Sequence, residues 1–198
     1  MIGEVMDWLL ALLLGYALGS IPFGLLLAKA AGKGDIRQVG SGNIGATNVL
    51  RAGGKWLAAA VLLLDAGKGF LAVWLAWLWW PDAAAVGALG AILGHCFPVW
   101  LRFKGGKGVA TAAGVCCGLG WPIGLAYAAV WLAMLAITRI SSLAGMSAAL
   151  AAPIAATLLG RWEFVPALWI VTLIVVILHR ENIVRLRAGT EPKVGRKA

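Results

Sequence analysis

The chain alternates long apolar runs with short polar breaks. Trp8 to Ala28 and Trp162 to Leu178 are almost wholly Leu, Ala, Val, Ile, Gly and aromatic residues. Hardly any run carries polar residues at the spacing a water-facing amphipathic helix needs. A run of about 20 apolar residues crosses about 30 Å of hydrocarbon as a helix. The pattern predicts an all-α integral membrane protein with seven transmembrane helices. They cover roughly 5–28, 55–80, 83–101, 108–120, 122–138, 142–159 and 163–178. Pro81-Asp82, Trp121-Pro122 and Gly160-Arg161 are the punctuation between some of them. Two spans are irregular. The second is crossed by D-A-G-K-G at 65–69, which predicts one kinked helix or two shorter ones. The fourth is short and rich in glycine. Neither a linker nor a repeat breaks the chain, so 1–198 is expected to be one domain.

Composition agrees: 62% of residues are hydrophobic and only 13% charged, against about a quarter charged in soluble domains. The net charge of +9 would suggest nucleic-acid binding in a soluble protein; here it sets topology and no nucleic acid is expected. Placing 29–55, 102–107, Arg139 and 180–198 on one side gathers every Lys and Arg of the 17 except Lys68 and Arg161. The positive-inside rule then puts the N-terminus outside and the C-terminus in the cytoplasm. Trp8, Trp80, Trp121 and Trp162 fall near the outer ends, where an aromatic belt belongs. The start, M-I-G-E-V-M-D, lacks a basic n-region, so a retained first span is expected rather than a cleaved signal peptide. Cys96, Cys116 and Cys117 sit in apolar sequence and read as packing residues. Neither His95 nor His179 has a second histidine or a carboxylate cluster at ligand spacing, so no metal and no cofactor are expected.

This topology brings three unusual segments to one membrane face. The first is G-S-G-N-I-G-A-T-N-V-L-R, Gly40 to Arg51. Its G-x-G-x-x-G is not a dinucleotide fingerprint, because an apolar helix precedes it where a strand is required. Gly40 and Gly42 can turn backbone amides inward as an anion nest. Ser41, Asn43, Thr47 and Asn48 add neutral donors, and Arg51 a permanently charged fork. A solvated loop with a helix cap at Ser41 or Asn43 is the plainer alternative. The second segment holds Lys104, Gly105, Gly106, Lys107 and Gly108 just before a helix, whose N-terminus favours anions. Gly108 stands where a Walker loop needs Ser or Thr; a flexible basic anchor is the alternative. The third opens with His179, Arg180 and Asn182, and Asn182 and Arg185 share a face if the helix continues. Asp65 and Lys68, three apart within a span, read as a mutual structural pair. Together the three segments suggest a cytoplasmic site for one or two phosphate-bearing ligands, with a lipid as one of them.

These same segments carry a resemblance. "GSGNIGATNVLR", "GHCFPVWLRFKGGKGVAT" and "HRENIVRL", followed by Gly189 and Glu191, are similar to the three motif regions of the bacterial acyl-phosphate:glycerol-3-phosphate acyltransferase family. "DIRQ" and "DAGKG" fit as well, and the likeness runs from Asp35 to Lys193. It implies a multi-pass enzyme of the bacterial inner membrane, with its site facing the cytoplasm. Such an enzyme moves an acyl group from acyl-phosphate to the first hydroxyl of glycerol 3-phosphate, giving lysophosphatidic acid and phosphate. It implies membrane lipid as surroundings, and a monomer is expected. By position, Ser41 and Arg51 fall in the first catalytic motif. Lys104 to Gly108 match the glycerol 3-phosphate motif, and His179 and Asn182 the functional positions of the third. Acyl-phosphate is a mixed anhydride with a good leaving group, so positioning and charge stabilisation would suffice. No H-x-x-x-x-D is present: Trp100 and Val184 stand five residues after the two histidines. Direct attack without an acyl-enzyme is therefore expected. A phosphate transporter is the main alternative, favoured only by Asp65-Lys68. A metal-dependent phosphatidyl transferase would need clustered aspartates, which the sequence lacks.

Overall fold

The computed structural model describes residues 2–195, so Arg196 and Lys197 of the basic tail lie outside the described residues. Among the described residues ten α-helices follow one another. They are α1 (Ile2–Gly19), α2 (Phe23–Ala30), α3 (Ala46–Gly53), α4 (Lys55–Trp79), α5 (Ala84–Cys96), α6 (Val109–Leu119), α7 (Trp121–Thr138), α8 (Ser141–Leu158), α9 (Val165–Leu178) and α10 (Arg180–Arg187). Short 3-10 turns at Ile36–Gln38, Pro81–Ala83, Val99–Leu101 and Trp162–Phe164 join some of them. No strand occurs among the described residues.

Five stretches are long and apolar enough to cross a membrane: Ile2–Ala30, Lys55–Trp79, Pro81–Leu101, Trp121–Thr138 and Ser141–Leu158. Trp162–Leu178 with Arg180–Arg187 makes a sixth if the pair, bent by 60°, counts as one. α6 has 11 residues, about 16 Å of helix, half the hydrocarbon thickness. The membrane helices carry many exposed apolar side chains. Trp56, Leu63, Ile137 and Leu158 are among the most exposed side chains, which suits lipid and not water.

The first span is broken and the second is not. The first, expected to run unbroken over 5–28, stops at Gly19 and resumes at Phe23. Pro22 brings no N–H, and its ring clashes with a helical carbonyl four residues back. The second is one continuous helix through D-A-G-K-G. Nothing there breaks the ladder: the buried Asp65 and Lys68 form an ion pair across one helical turn, at 2.7 Å.

Small residues hold the bundle together. α1 and α5 touch backbone to backbone: a Cβ on Gly15 or Gly19 would strike the carbonyl of Gly87 or Ala91. Gly90 and Gly94 return the same contact against Leu12 and Tyr16. Lipid tails are as apolar as leucine, so close dispersion contact and not hydrophobic burial drives such pairing. Gly114 on α6 lies equally close to Ala66 on α4. A second, smaller core of Ala28, Ile36, Ile44, Val49, Ala58 and Val61 fixes the loop between α2 and α3 onto α4.

Candidate active site

The first polar segment folds into a turn followed by α3. Gly40 and Gly42 take φ of +58° and +68°, which side chains with a Cβ resist. The turn uses up its own amides. Ser41 N–H donates to Asn48 Oδ1 at 3.0 Å, Gly42 N–H to Val39 O at 3.1 Å and Gly45 N–H to Asn43 Oδ1 at 2.9 Å. These three amides are therefore spent within the loop and are withdrawn from the nest expected of the glycines. Asn48 is 2% exposed, and its other arm donates to Ile36 O at 2.8 Å. It staples the loop. The helix cap is Gly45, not Ser41 or Asn43. What the segment offers a ligand is side chains. Thr47 and Arg51 stand one turn apart on α3 beside Ser41, and among the described residues nothing hydrogen-bonds the Arg51 guanidinium.

The second segment shows the same economy. Gly105 N–H donates to Cys96 O at 3.1 Å and Gly106 N–H to His95 O at 3.0 Å, closing the C-terminal end of α5. Gly106 lies against the Nε2 end of the His95 ring, where a Cβ would collide with the imidazole. Gly108, at φ +83°, then starts α6. Lys104 is exposed and turned away from the cavity described below. Lys107 is turned inward. Its ammonium donates to Asn182 Oδ1. Burial holds the Lys107 ammonium below its ordinary pKa, with the Arg185 charge adding to the effect and Glu181 and Glu191 opposing it.

The third segment begins at the α9–α10 bend. His179 is 4% exposed, and its Nδ1 donates to Val175 O at 2.7 Å. That bond fixes the tautomer, leaving Nε2 as the acceptor of the neutral ring. Burial lowers its pKa; the Val175 hydrogen bond and Glu191 oppose this, and Lys107 reinforces it. α10 is a separate helix, and Asn182 and Arg185 do share a face of it: both reach Glu191, at 2.5 and 2.6 Å. Ser142 on α8 donates to the same carboxylate at 2.6 Å. Burial works to raise the Glu191 pKa, but these three hydrogen bonds and the Arg185 charge outweigh it and hold the carboxyl below its ordinary value. Thr47 Oγ1 lies 2.9 Å from Ser141 Oγ, tying α3 to the start of α8.

All three segments open on one cavity of about 410 Å³. Ser41, Asn43, Thr47, Asn48, Arg51, Lys107, Gly108, His179 and Asn182 line its polar end. Gly40, Gly42, Lys104, Gly105 and Gly106 do not line it; they shape or flank the loops that do. The other end is apolar, walled by α4 (Leu62, Leu63, Ala66), α6 (Val109, Ala113) and α7 (Ala128, Trp131, Leu132). Leu63 and Leu132 are 71% and 60% exposed, so this end opens toward lipid. Among the described residues no group of three or more His, Cys, Asp or Glu could hold a metal ion.

The family described as Glycerol-3-phosphate acyltransferase matches residues 9–189. The chain belongs to that family. It is 64% identical over 192 residues to the glycerol-3-phosphate acyltransferase of Erythrobacter litoralis, covering 97% of this chain and 98% of the relative. The Novosphingobium aromaticivorans protein of the same name is 63% identical over 189 residues, 96% of each. Crystal structures of PlsY (YgiH), an integral membrane glycerol 3-phosphate acyltransferase, have the same fold. The glycerol 3-phosphate form superposes with a TM-score of 0.90 at 38% identity, covering 95% of this chain and 96% of that one. The lysophosphatidic acid form gives 0.87 at 37% identity, covering 95% of each.

Within this acyltransferase family fold, several cavity residues had no role in the sequence reading. Glu191 was visible only as the last letter of a motif. Ser141 and Ser142 are the first two residues of α8. Asp65 and His95 line the cavity too. Their signal was the rarity of buried ionisable groups in a membrane, but only folding puts them beside the motifs.

Proposed function

We propose that this chain transfers a fatty acyl group from acyl-phosphate to the first hydroxyl of glycerol 3-phosphate, releasing lysophosphatidic acid and phosphate in phospholipid synthesis. The observation that carries it is the two-ended cavity: cations and hydroxyls at one end, an apolar wall open to lipid at the other. The polar end suits phosphate. Arg51 offers a fork, Lys107 a point charge, and the N-terminus of α6 unpaired amides. The apolar end suits an acyl chain. A donor bearing both groups spans the two.

The acceptor hydroxyl attacks the acyl carbonyl directly. The carbon–oxygen bond to phosphate breaks, and the phosphate leaves with its electron pair. Arg51 stabilises the charge that gathers on the oxygens of the leaving phosphate, and Lys107 holds the phosphate of glycerol 3-phosphate. Ser41 and Thr47 orient the donor, while Asn182, held by Lys107 and Glu191, fixes the position of the lysine. The hydroxyl proton has two acceptors in such a site, an oxygen of a substrate phosphate and His179 Nε2. The pH profile of His179→Gln separates them: an unchanged acid limb assigns the proton to phosphate. A trapped acyl adduct on Ser41 would sink direct attack.

The topology belongs to the same proposal: seven crossings in the bacterial inner membrane, N-terminus outside and the site facing the cytoplasm, in a single-domain monomer. Its support is the gathering of basic residues on the connections that build the cavity. One assay tests the whole reading. Purified protein with glycerol 3-phosphate should release phosphate from acyl-phosphate and leave acyl-CoA untouched. Equal or better turnover of acyl-CoA would refute the donor.

A further inference from the structure

At the cavity wall a chain of buried polar groups joins the two glycine-rich loops. It starts at the broken first span, where the Ile21 carbonyl accepts from Lys68 Nζ at 2.7 Å. Lys68 Nζ also lies 2.7 Å from Asp65 Oδ1. Asp65 Oδ1 in turn lies 3.7 Å from His95 Nδ1. The Nε2 end of the His95 ring packs against Gly106, whose N–H is bound to the His95 carbonyl at 3.0 Å. Gly106 is bonded directly to Lys107. At the far end, α2 follows the broken span, and its Gly24 lies so close to the Ile44 carbonyl that a Cβ would clash. Asp65, Lys68 and His95 are 2%, 5% and 4% exposed. A pair retained for charge balance alone would need neither the imidazole nor the broken helix. Ionisable groups in a membrane interior are expensive, and such groups mark function more often than packing.

We infer that Asp65, Lys68 and His95 are positioning residues, which set the Gly106–Lys107 segment at a fixed distance from the Ser41–Arg51 segment. They act through the loops and are not required to touch the reacting atoms. This rests on the reading that Lys107 holds a substrate phosphate, taken here as that of glycerol 3-phosphate. A displacement of about 1 Å at a binding group can cost up to 100-fold in rate.

The test is the double variant Asp65→Asn with Lys68→Met, which removes both charges and leaves none buried alone. Glycerol 3-phosphate affinity is measured by calorimetry on purified protein, beside the thermal melting point. The expected result is a melting point near that of the unchanged chain, with affinity weakened roughly tenfold. Affinity within twofold of the unchanged protein would overturn the inference, since neutralising the pair would then have rescued all it does. If the double variant does not fold, His95→Gln is judged by the same two outcomes. Lys107→Ala in parallel reads the underlying assignment. Affinity unchanged there overturns that assignment and the inference with it; affinity lost there but kept in the double variant overturns the inference alone.

Discussion

The two glycine-rich segments look alike in sequence and work differently in the fold. The loop before α3 closes on itself with side chains: Asn43 and Asn48 take up the amides of Gly45 and Ser41. The loop before α6 closes on another helix with backbone: Gly105 and Gly106 donate to the last carbonyls of α5. In both, amides of the loop glycines are spent on architecture. The first loop then meets the ligand with a forked guanidinium and hydroxyls from α3. The second meets it with one lysine and the start of α6. Glycines in these loops permit shape and close approach, and the charge comes from neighbours.

The largest break in that comparison comes from Arg51. Arg51→Ala should lower kcat/KM by about 100- to 1,000-fold without altering the melting point. Arg51→Lys should recover only part of this, because a point charge cannot replace the fork. Activity within tenfold of the unchanged enzyme would place the phosphate elsewhere. Lys107→Ala should weaken glycerol 3-phosphate recognition roughly tenfold or more, read as KM.

Asn48→Ala addresses the staple. It leaves the Ile36 carbonyl and the Ser41 amide without their partner, which costs about 1–3 kcal/mol of stability. The melting point should fall, and activity with it. Asn43→Ala, which frees a single half-buried turn amide, should do much less to stability.

Glu191 separates by pH. Its folded pKa lies below the ordinary value of 4.5. Its stabilising contribution is therefore complete above that value and lost as pH falls through the lower folded value. Glu191→Gln should flatten this acid limb of the melting-point profile. The smallest effect belongs to Lys104. It is exposed and lies outside the cavity lining, so Lys104→Ala should change KM by less than about threefold, as expected of a screened surface charge. A larger change would make the second loop a two-lysine site after all.

The motifs were legible because their residue types are so improbable in apolar sequence. Arg51, Lys107, His179 and Asn182 stood out, and the fold brings all four to one cavity. Asn48 stood out equally, but its amide serves the loop, a matter of which way a side chain points. Asp65 and Lys68 were read as a pair, and they are one. That His95 completes the chain was hidden, because it lies 30 residues away on another helix. The break at Pro22 was missed because the residues around it are as apolar as any span.

The sequence by itself determined the class: long apolar runs can be satisfied only as membrane helices, since unpaired backbone groups are too costly in lipid. It also determined where the polar chemistry lies, and it carried the family's motifs. The tertiary structure decided which polar groups remain available to a ligand. Each backbone amide and buried side chain can be spent once, on a neighbouring loop or on a substrate. Only the packed fold shows that Ser41, Gly105 and Gly106 spend their amides internally while Arg51 is left open to the cavity.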